Sequence, residues 1–411
     1  MAGETRVSAL KTTLLLPLVL VGLAVAACLG LLILLAGLQR VFAVAPRLSV
    51  VPADQQGPAV SLTVVIPAYN EAATIEACVS HVLASAAPCA SWQLVVVDDD
   101  STDATASLAA AAAAASGCPP ERWRVLQAGP RPAGQRWVGK NWACTQAAEQ
   151  TQSDWLLFID ADVRLQPDAL RRALVQAQHD QADLLSLAPR LGCSCLAEWM
   201  VQPIMASLLG LGFPIQAAND PASPVAFAAG PFMLFRRSAY AEIGGHRALA
   251  AEVVEDLALA RRIKAQGLRL RYLLGLDVAE LNMYPNFAAL WEGWSKNWFL
   301  GLDSSVPKAL AAAGVVVLMF SGPWLLLGAG LLLRWWMPLQ GSWWLGVVML
   351  SGSGVLLQLA LRLWSRRQFQ VPLRLWWLMG AGGLVVGALG PTSVWRTLTG
   401  RGWTWKGRSL A

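Results

Sequence analysis

Residues 154–162 read Asp-Trp-Leu-Leu-Phe-Ile-Asp-Ala-Asp. An unbroken apolar run, Trp155–Ile159, stops at Asp160, and a second carboxylate follows at Asp162. Short apolar runs without polar alternation suit strands buried on both faces. In extended backbone, side chains two apart point the same way, so Asp160 and Asp162 can face one ligand together. Their hard oxygens suit a divalent cation bound jointly with a diphosphate. Asp-x-Asp is common by chance; here it closes a strand, and Pro167-Asp168 opens a helix just beyond.

The pattern repeats on either side. Ser61–Pro67 (SLTVVIP) and Trp92–Val97 (WQLVVV) read as buried parallel strands, and Arg124–Gln127 and Asp183–Ala188 as shorter ones. Helical stretches separate them at Glu71–Ala86, Thr102–Ser116, Asn141–Gln152 and Pro167–Gln178. The second opens after Asp100, Ser101 and Asp103, which are capping residues. This alternation predicts an α/β fold of the doubly wound type, whose ligands gather beyond the C-terminal ends of the strands.

Chemistry-bearing residues cluster at those ends. Pro67-Ala68-Tyr69-Asn70-Glu71 forms a turn that can present Tyr69 or the backbone to a flat base. Asp98-Asp99-Asp100-Ser101-Thr102-Asp103 ends a strand in three mutually repelling carboxylates, a cost that a cation or a donor-rich ribose or base edge would relieve. Lys140, in Trp137–Trp142, sits at a helix start where it can meet a phosphate or a sugar hydroxyl, although the spacing is not that of a Walker loop. The small residues Ala228, Ala229 and Gly230 precede an apolar strand, Pro231–Arg237, and allow close ligand approach. Glu255 and Asp256 fall in the first turn of a helix running to Ala265, where the dipole favours carboxylates. Asp256 is the candidate general base, with a lowered or near-normal pKa. His246 follows Gly244-Gly245 and is either a site residue or a loop histidine.

Composition sets the class. Of 411 residues 55% are apolar and only 14% charged, with a net charge of +6 and a mean hydropathy of +0.47. No basic stripe with interleaved aromatics appears, which excludes a nucleic-acid partner. The seven cysteines contain no Cys-x-x-Cys and read as free thiols. Leu14–Leu38 is uncharged and long enough for a hydrocarbon core of about 30 Å. Further candidate spans are 309–333, 343–361 and 372–389, the last competing with a re-entrant or interfacial segment. The expected division is a membrane anchor at 1–48, a cytoplasmic catalytic domain at 49–308, and a membrane region with a basic tail at 309–411. Arg362, Arg366, Arg367 and Arg374 place the catalytic domain on the cytoplasmic side if every candidate spans, and leave the side of the tail open. The expected location is therefore the cell membrane, multi-pass, and no feature calls for an obligate protein partner.

From Leu62 to about Leu302 the chain resembles the family 2 glycosyltransferases, inverting membrane-attached enzymes of the GT-A fold. The resemblance rests on the turn Pro67–Glu71, the acidic motif Asp98–Asp103 (with Asp100 where the family usually has glycine), Asp160–Asp162 and Glu255-Asp256. It implies a nucleotide-diphosphate sugar, such as a UDP-sugar, bound by Pro67, Tyr69, Glu71, Asp98, Asp99, Lys140 and Asp160. It further implies a divalent metal held chiefly by Asp162 with Asp160, and an acceptor hydroxyl deprotonated by Asp256 beside Glu255. The stretches 137–144, 252–267 and 294–302 are most like the hopanoid- and carotenoid-associated subgroup, including cyanobacterial carotenoid glycosyltransferases.

One departure matters. Processive members carry Gln-x-x-Arg-Trp after the Glu-Asp helix, whereas this chain has Trp294-Ser295-Lys296-Asn297-Trp298. Transfer of one sugar is therefore expected, with Trp294, Lys296 and Trp298 on the acceptor side. The expected acceptor is a membrane lipid such as a carotenoid; polyprenyl phosphate, ceramide and diacylglycerol are the alternatives. A non-catalytic sugar-nucleotide-binding protein is the competing class, disfavoured because a scaffold needs none of Asp160, Asp162, Glu255 and Asp256.

Overall fold

The computed structural model describes residues 2–52, 57–337, 341–401 and 404–409. Its contacts divide the chain into two compact units: Met1–Phe42 with Cys193–Leu211 and Tyr284–Arg401, and Ala43–Gly192 with Gly212–Met283 and Gly402–Ala411. These units interleave in sequence and do not coincide with the contiguous division at 48 and 308. Helices Leu196–Gly212 and Phe287–Gly301 lie essentially in the first unit, whereas the basic tail joins the second.

The second unit is built on strands β1 (Ser61–Ala68), β2 (Ser91–Asp98), β3 (Trp123–Gln127), β4 (Trp155–Ile159), β5 (Val163–Leu165), β6 (Leu184–Ala188), β7 (Arg190–Leu191), β8 (Phe232–Arg236), β9 (Leu270–Leu274), β10 (Ala279–Leu281), β11 (Thr404–Trp405) and β12 (Arg408–Ser409). The main sheet has the order β3-β2-β1-β4-β8-β6-β9, with β8 antiparallel to both neighbours and the other pairs parallel. A small sheet, β5-β10-β7, stands beside it.

Both faces of the main sheet are covered, which explains the unbroken apolar runs. Val64, Ile66, Leu94, Val96, Leu157 and Ile159 face a core with helices Ile75–Leu83, Thr105–Ala115 and Ala169–His179. Val65, Val95, Val97, Leu156 and Phe158 face a second core with helices Gly139–Glu149 and Glu255–Ala265. Neighbours along each strand thus point to opposite cores.

Three helices start later than the sequence suggests, that expected from Pro167 beginning at Ala169. Glu71 closes a turn whose carbonyl accepts from the amides of Thr74 and Ile75, so that helix runs from Ile75. The helix expected from Thr102 begins at Thr105, whose amide donates to Asp103 Oδ1 at 2.9 Å. Ser101 Oγ instead accepts from the Asn70 amide, and Asp100 holds the left-handed φ of +63°. Glycine adopts that conformation without steric cost.

The first unit is helical. Four of its segments are long and apolar enough to cross a membrane: Leu15–Ala43, Val306–Trp336, Ser342–Phe369 and Trp376–Leu398. The second is interrupted by a π turn at Val317–Ser321, just before Pro323, whose ring nitrogen cannot donate. Gln358 repairs the break: Nε2 donates to the carbonyls of Met319 and Phe320, while Oε1 accepts from Trp324. In an apolar medium such repair is required of any helix that leaves backbone carbonyls free.

Candidate active site

At the C-terminal end of β1 the backbone turns at Asn70, in the left-handed region at φ +52°, and presents Tyr69 and Glu71. The Asn70 side chain accepts from the Thr102 amide, and Thr105 Oγ1 accepts from the Glu71 amide, so this turn and the Asp98–Asp103 turn brace one another. Pro67 lies past the end of the β1–β4 register, which runs from Leu62 to Val65. Its missing N–H removes no bond from that ladder.

Asp98 and Asp99 diverge. The buried Asp98 turns into its own loop, where Oδ2 accepts from the Ser101 amide at 3.4 Å and Oδ1 has no partner among the described residues. Asp99 Oδ2 meets Arg131 at 2.6 Å and Arg408 at 2.5 Å. Burial pushes the Asp99 carboxyl up from its ordinary pKa, and the two guanidinium groups only partly offset this. Gly139 touches the same carboxylate: a Cβ there would lie 2.3 Å from Asp99 Oδ2 and 3.1 Å from Arg131 Nη2. Any side chain at 139 would therefore force the Asp99 carboxylate to shift.

One residue on, Lys140 Nζ bridges Asp160 at 2.6 Å and Glu255 at 2.7 Å. Desolvation works against its charge, but these two carboxylates outweigh that effect and hold the pKa well above the usual lysine value. Lys140 therefore joins the end of β4 to the helix carrying Asp256. Sequence reasoning gave this lysine to a phosphate or sugar hydroxyl; its contacts in the structure are with carboxylates.

Asp162 Oδ1 is buried and has no hydrogen-bond partner among the described residues. Burial, with the charges of Asp160 and Glu71 nearby, raises the Asp162 pKa well above the carboxylate norm. A carboxylate so placed fits a cation, which would partner the orphaned oxygen and remove the repulsion. Among the described residues no group of three or more His, Cys, Asp or Glu side chains could hold a metal alone. Such an ion would need oxygen ligands from elsewhere, a diphosphate for example.

Asp256 differs from its sequence expectation. Its pKa is raised to about 6, not lowered or normal: burial and the adjacent Glu255 charge outweigh Lys140 and the Leu257 and Gly230 amides. Oδ1 accepts from the Leu257 amide at 2.7 Å and Oδ2 from the Gly230 amide at 3.1 Å. The small residues before β8 thus serve close approach, with Gly230 reaching the Asp256 carboxylate itself.

Other candidates fall elsewhere. His246 is buried, its ring Nδ1 2.8 Å from Tyr240 Oη and its ring edge against Phe158. Burial, aided by Lys140, lowers its pKa to about 3, so it is a neutral core histidine. Trp294, Lys296 and Trp298 belong to the first unit. There Trp294 Nε1 donates to Gln202 at 3.1 Å and Trp298 Nε1 to the Ala309 carbonyl at 3.2 Å, and both rings are buried. Their polar atoms are spent on packing that unit.

Three site residues escaped the sequence. Arg131 carries only the faint signal of an arginine between two prolines. Lys406 and Arg408 come from the basic tail: Lys406 Nζ lies 2.5 Å from Glu71, and the Arg408 guanidinium lies over the Tyr69 ring, 3.8 Å from its centroid.

Comparison with known proteins identifies the family. The family model "Glycosyl transferase family 2" matches residues 63–244, and "Glycosyl transferase family group 2" matches 155–389. The chain is 28% identical over 206 residues to 4,4'-diaponeurosporenoate glycosyltransferase of Staphylococcus aureus (strain MRSA252), covering 49% of this chain and 54% of that protein. The protein of the same name from Staphylococcus haemolyticus (strain JCSC1435) is 26% identical over 181 residues, 43% of this chain and 48% of its own. The chain thus spans about half the length of these relatives. Among solved structures, a mannosyltransferase from Pyrobaculum calidifontis in complex with GDP-Man and Mn2+ is 16% identical, with a TM-score of 0.47, covering 91% of this chain and 98% of that one. With one family model covering more than half of its length, the chain belongs to the family 2 group of glycosyl transferases.

Proposed function

We propose that this protein transfers a single sugar from a nucleotide-diphosphate donor to a hydroxyl of a membrane lipid of carotenoid type. The observation that carries this is the continuous chain of contacts from Asp99 through Gly139 and Lys140 to Asp160 and Glu255, with Asp256 beside it. It joins a base-sized aromatic face at Tyr69, just past β1, and an orphaned carboxylate at Asp162, just past β4, to a base with a pKa near 6. The names of the relatives support the carotenoid-type acceptor.

In this proposal Tyr69 and Asp99 receive the base, with Arg131 and Gly139 fixing the Asp99 carboxylate. Asp162, with Asp160 beside it, would hold the divalent cation, Mg or Mn, whose charge offsets that building on the leaving diphosphate. Asp256 takes the proton of the acceptor hydroxyl, its oxygens oriented by the Gly230 and Leu257 amides. Glu255 and Lys140 position the Asp256 helix against the end of β4. Direct attack inverts the anomeric carbon, so no covalent nucleophile is required. The test is incubation of the full chain in nanodiscs with labelled nucleotide sugars and extracted carotenoids, followed by mass measurement. A product heavier by one hexose or deoxyhexose supports the function, and donor turnover confined to water refutes it.

For the membrane arrangement, we infer a cytoplasmic catalytic unit and three crossings. That unit contains both Ala43–Gly192 and Gly402–Ala411, so an even number of crossings separates Met283 from Gly402. Three candidate spans lie between them. Helix Met379–Leu398 is the one that does not cross. It runs antiparallel to the first part of Val306–Trp336, with Gly383 against Ser321, Gly387 against Val317 and Gly390 against the Ala309 carbonyl. Its span is also the least apolar of the four, with a mean hydropathy of 1.3. Impermeant thiol labelling of single cysteines at 304 and 400 should find both on the same side; opposite sides would refute three crossings.

A further inference from the structure

The tail residues Thr404–Ser409 form a two-stranded hairpin, with Thr404 paired to Ser409 and Trp405 to Arg408. Its two-residue turn, Lys406-Gly407, has positive φ at both positions, 49° and 81°, the geometry that matches the twist of a tight hairpin. This turn places both cations in the acidic site. Lys406 Nζ pairs with Glu71 and donates to the Asn70 carbonyl at 2.9 Å, and its charge is felt at Asp162. Arg408 pairs with Asp99, approaches the Asp100 carbonyl at 3.4 Å and stacks on Tyr69.

A guanidinium is planar, donates hydrogen bonds from its edge and stacks on aromatic rings. A nucleobase offers the same combination. Arg408 satisfies both groups assigned to the base, the Tyr69 face and the Asp99 carboxylate, while Lys406 supplies positive charge beside the carboxylates assigned to the metal. We propose that the hairpin 404–409 is an intramolecular competitor of the sugar nucleotide, a strap that occupies the donor site and must leave before the base can stack. This rests on the assignment of Tyr69 and Asp99 to the donor base. With its cations in place, the Glu71 and Asp99 carboxylates are paired without donor.

Competition has a measurable consequence. Apparent affinity falls by the fraction of molecules whose site is open, so with about one site in ten open, removing the strap's cations should tighten nucleotide binding by about tenfold. Full-length wild type and the Lys406→Ala/Arg408→Ala double variant, both in nanodiscs with Mn2+, are titrated calorimetrically with UDP, GDP and dTDP in turn. The expected result is tighter binding by the variant of whichever nucleotide the wild type binds. Equal or weaker binding overturns the strap, weaker binding marking the two cations as donor ligands instead.

A second measurement reads the docking directly. Trypsin cleaves after Lys406 and Arg408, so the rate at which wild type releases the tail peptides reports on undocking. Saturating nucleotide with Mn2+ should accelerate cleavage at both positions, with Arg401 as the internal control. An unchanged ratio of these rates, or no nucleotide binding by either protein, overturns the competition. The Asp99→Asn variant separates the two levels. Retained nucleotide affinity there refutes the base-site assignment, whereas lost affinity together with an inert hairpin variant refutes the strap alone.

Discussion

Replacing Asp256 by asparagine keeps the side chain's size but removes the basic oxygen and sets an amide against donors. One of its two neighbours, the Leu257 amide at 2.7 Å or the Gly230 amide at 3.1 Å, would then face an NH2 group. Loss of a positioned general base costs on the order of 10²–10⁴ in rate. Turnover of Asp256→Asn should therefore fall at least about 100-fold. Nucleotide affinity, measured by calorimetry, should stay within a few-fold, because Tyr69, Asp99 and Asp162 are untouched.

The pKa adds a second, independent magnitude. With a value of about 6, Asp256 is about nine-tenths ionised at pH 7 and about one-tenth at pH 5, so kcat/KM should fall roughly tenfold between them. The Glu255 charge contributes to that elevation after burial, so Glu255→Gln should move the acid limb to lower pH. Glu255→Gln should also cost less at pH 7 than Asp256→Asn. The assay is initial-rate transfer to lipid acceptor across pH 4.5–8, normalised to bound nucleotide. A limb that stays near pH 6 in Glu255→Gln, or near-wild-type turnover in Asp256→Asn, would refute the base assignment. An acceptor that arrives as a carboxylate needs no base and would give that second result, so the experiment also discriminates acceptor chemistry. The same elevation has a stability consequence: between about pH 4 and 6 the native state holds a proton that the unfolded chain has released, so Asp256 costs stability as pH rises through that window.

Asp162→Asn should leave the protein folded in the membrane but abolish transfer; activity of this variant together with full turnover in EDTA would sink metal dependence. Gly139→Ala forces a methyl to within 2.3 Å of the Asp99 carboxylate, so nucleotide affinity should fall by about tenfold or more while far-UV circular dichroism is unchanged. Unaltered affinity would show that the carboxylate can move at no cost. Because Trp294–Trp298 lacks the processive motif, purified enzyme should yield one sugar per acceptor at low conversion, and a ladder of longer glycans would contradict this.

What the sequence reveals follows from the range over which each signal acts. The ends of β1, β2 and β4 were legible because a strand buried on both faces must be apolar, and carboxylates that interrupt it need a local reason. The spacing of Asp160 and Asp162 is likewise a property of three adjacent residues. The pKa of Asp256 was not legible: the helix dipole is visible locally, but the burial and charge crowding that outweigh it come from packing. Nor could pattern reveal that Leu196–Gly212 and Phe287–Gly301 belong with the membrane helices, since a helix apolar on most sides is compatible with either unit.

The carboxylates pose a sharper case. Asp98, Asp99 and Asp100 in succession, with Asp160, Asp162 and Glu71 at neighbouring strand ends, require positive charge, and that requirement was readable from the sequence. Its source was not. Part of the charge comes from Lys140 and Arg131, close in the chain, and part from Lys406 and Arg408, more than three hundred positions away from Glu71 and Asp99. Lys-Gly is also a weaker hairpin signal than Asn-Gly, so the turn that aims these cations is inconspicuous. A deficit of charge is therefore local and legible, whereas the identity of the group that fills it depends on tertiary structure. Where an internal cation and an external ligand can fill the same deficit, as at Asp99 and Tyr69, electrostatics that stabilise the empty site must oppose the first step of binding.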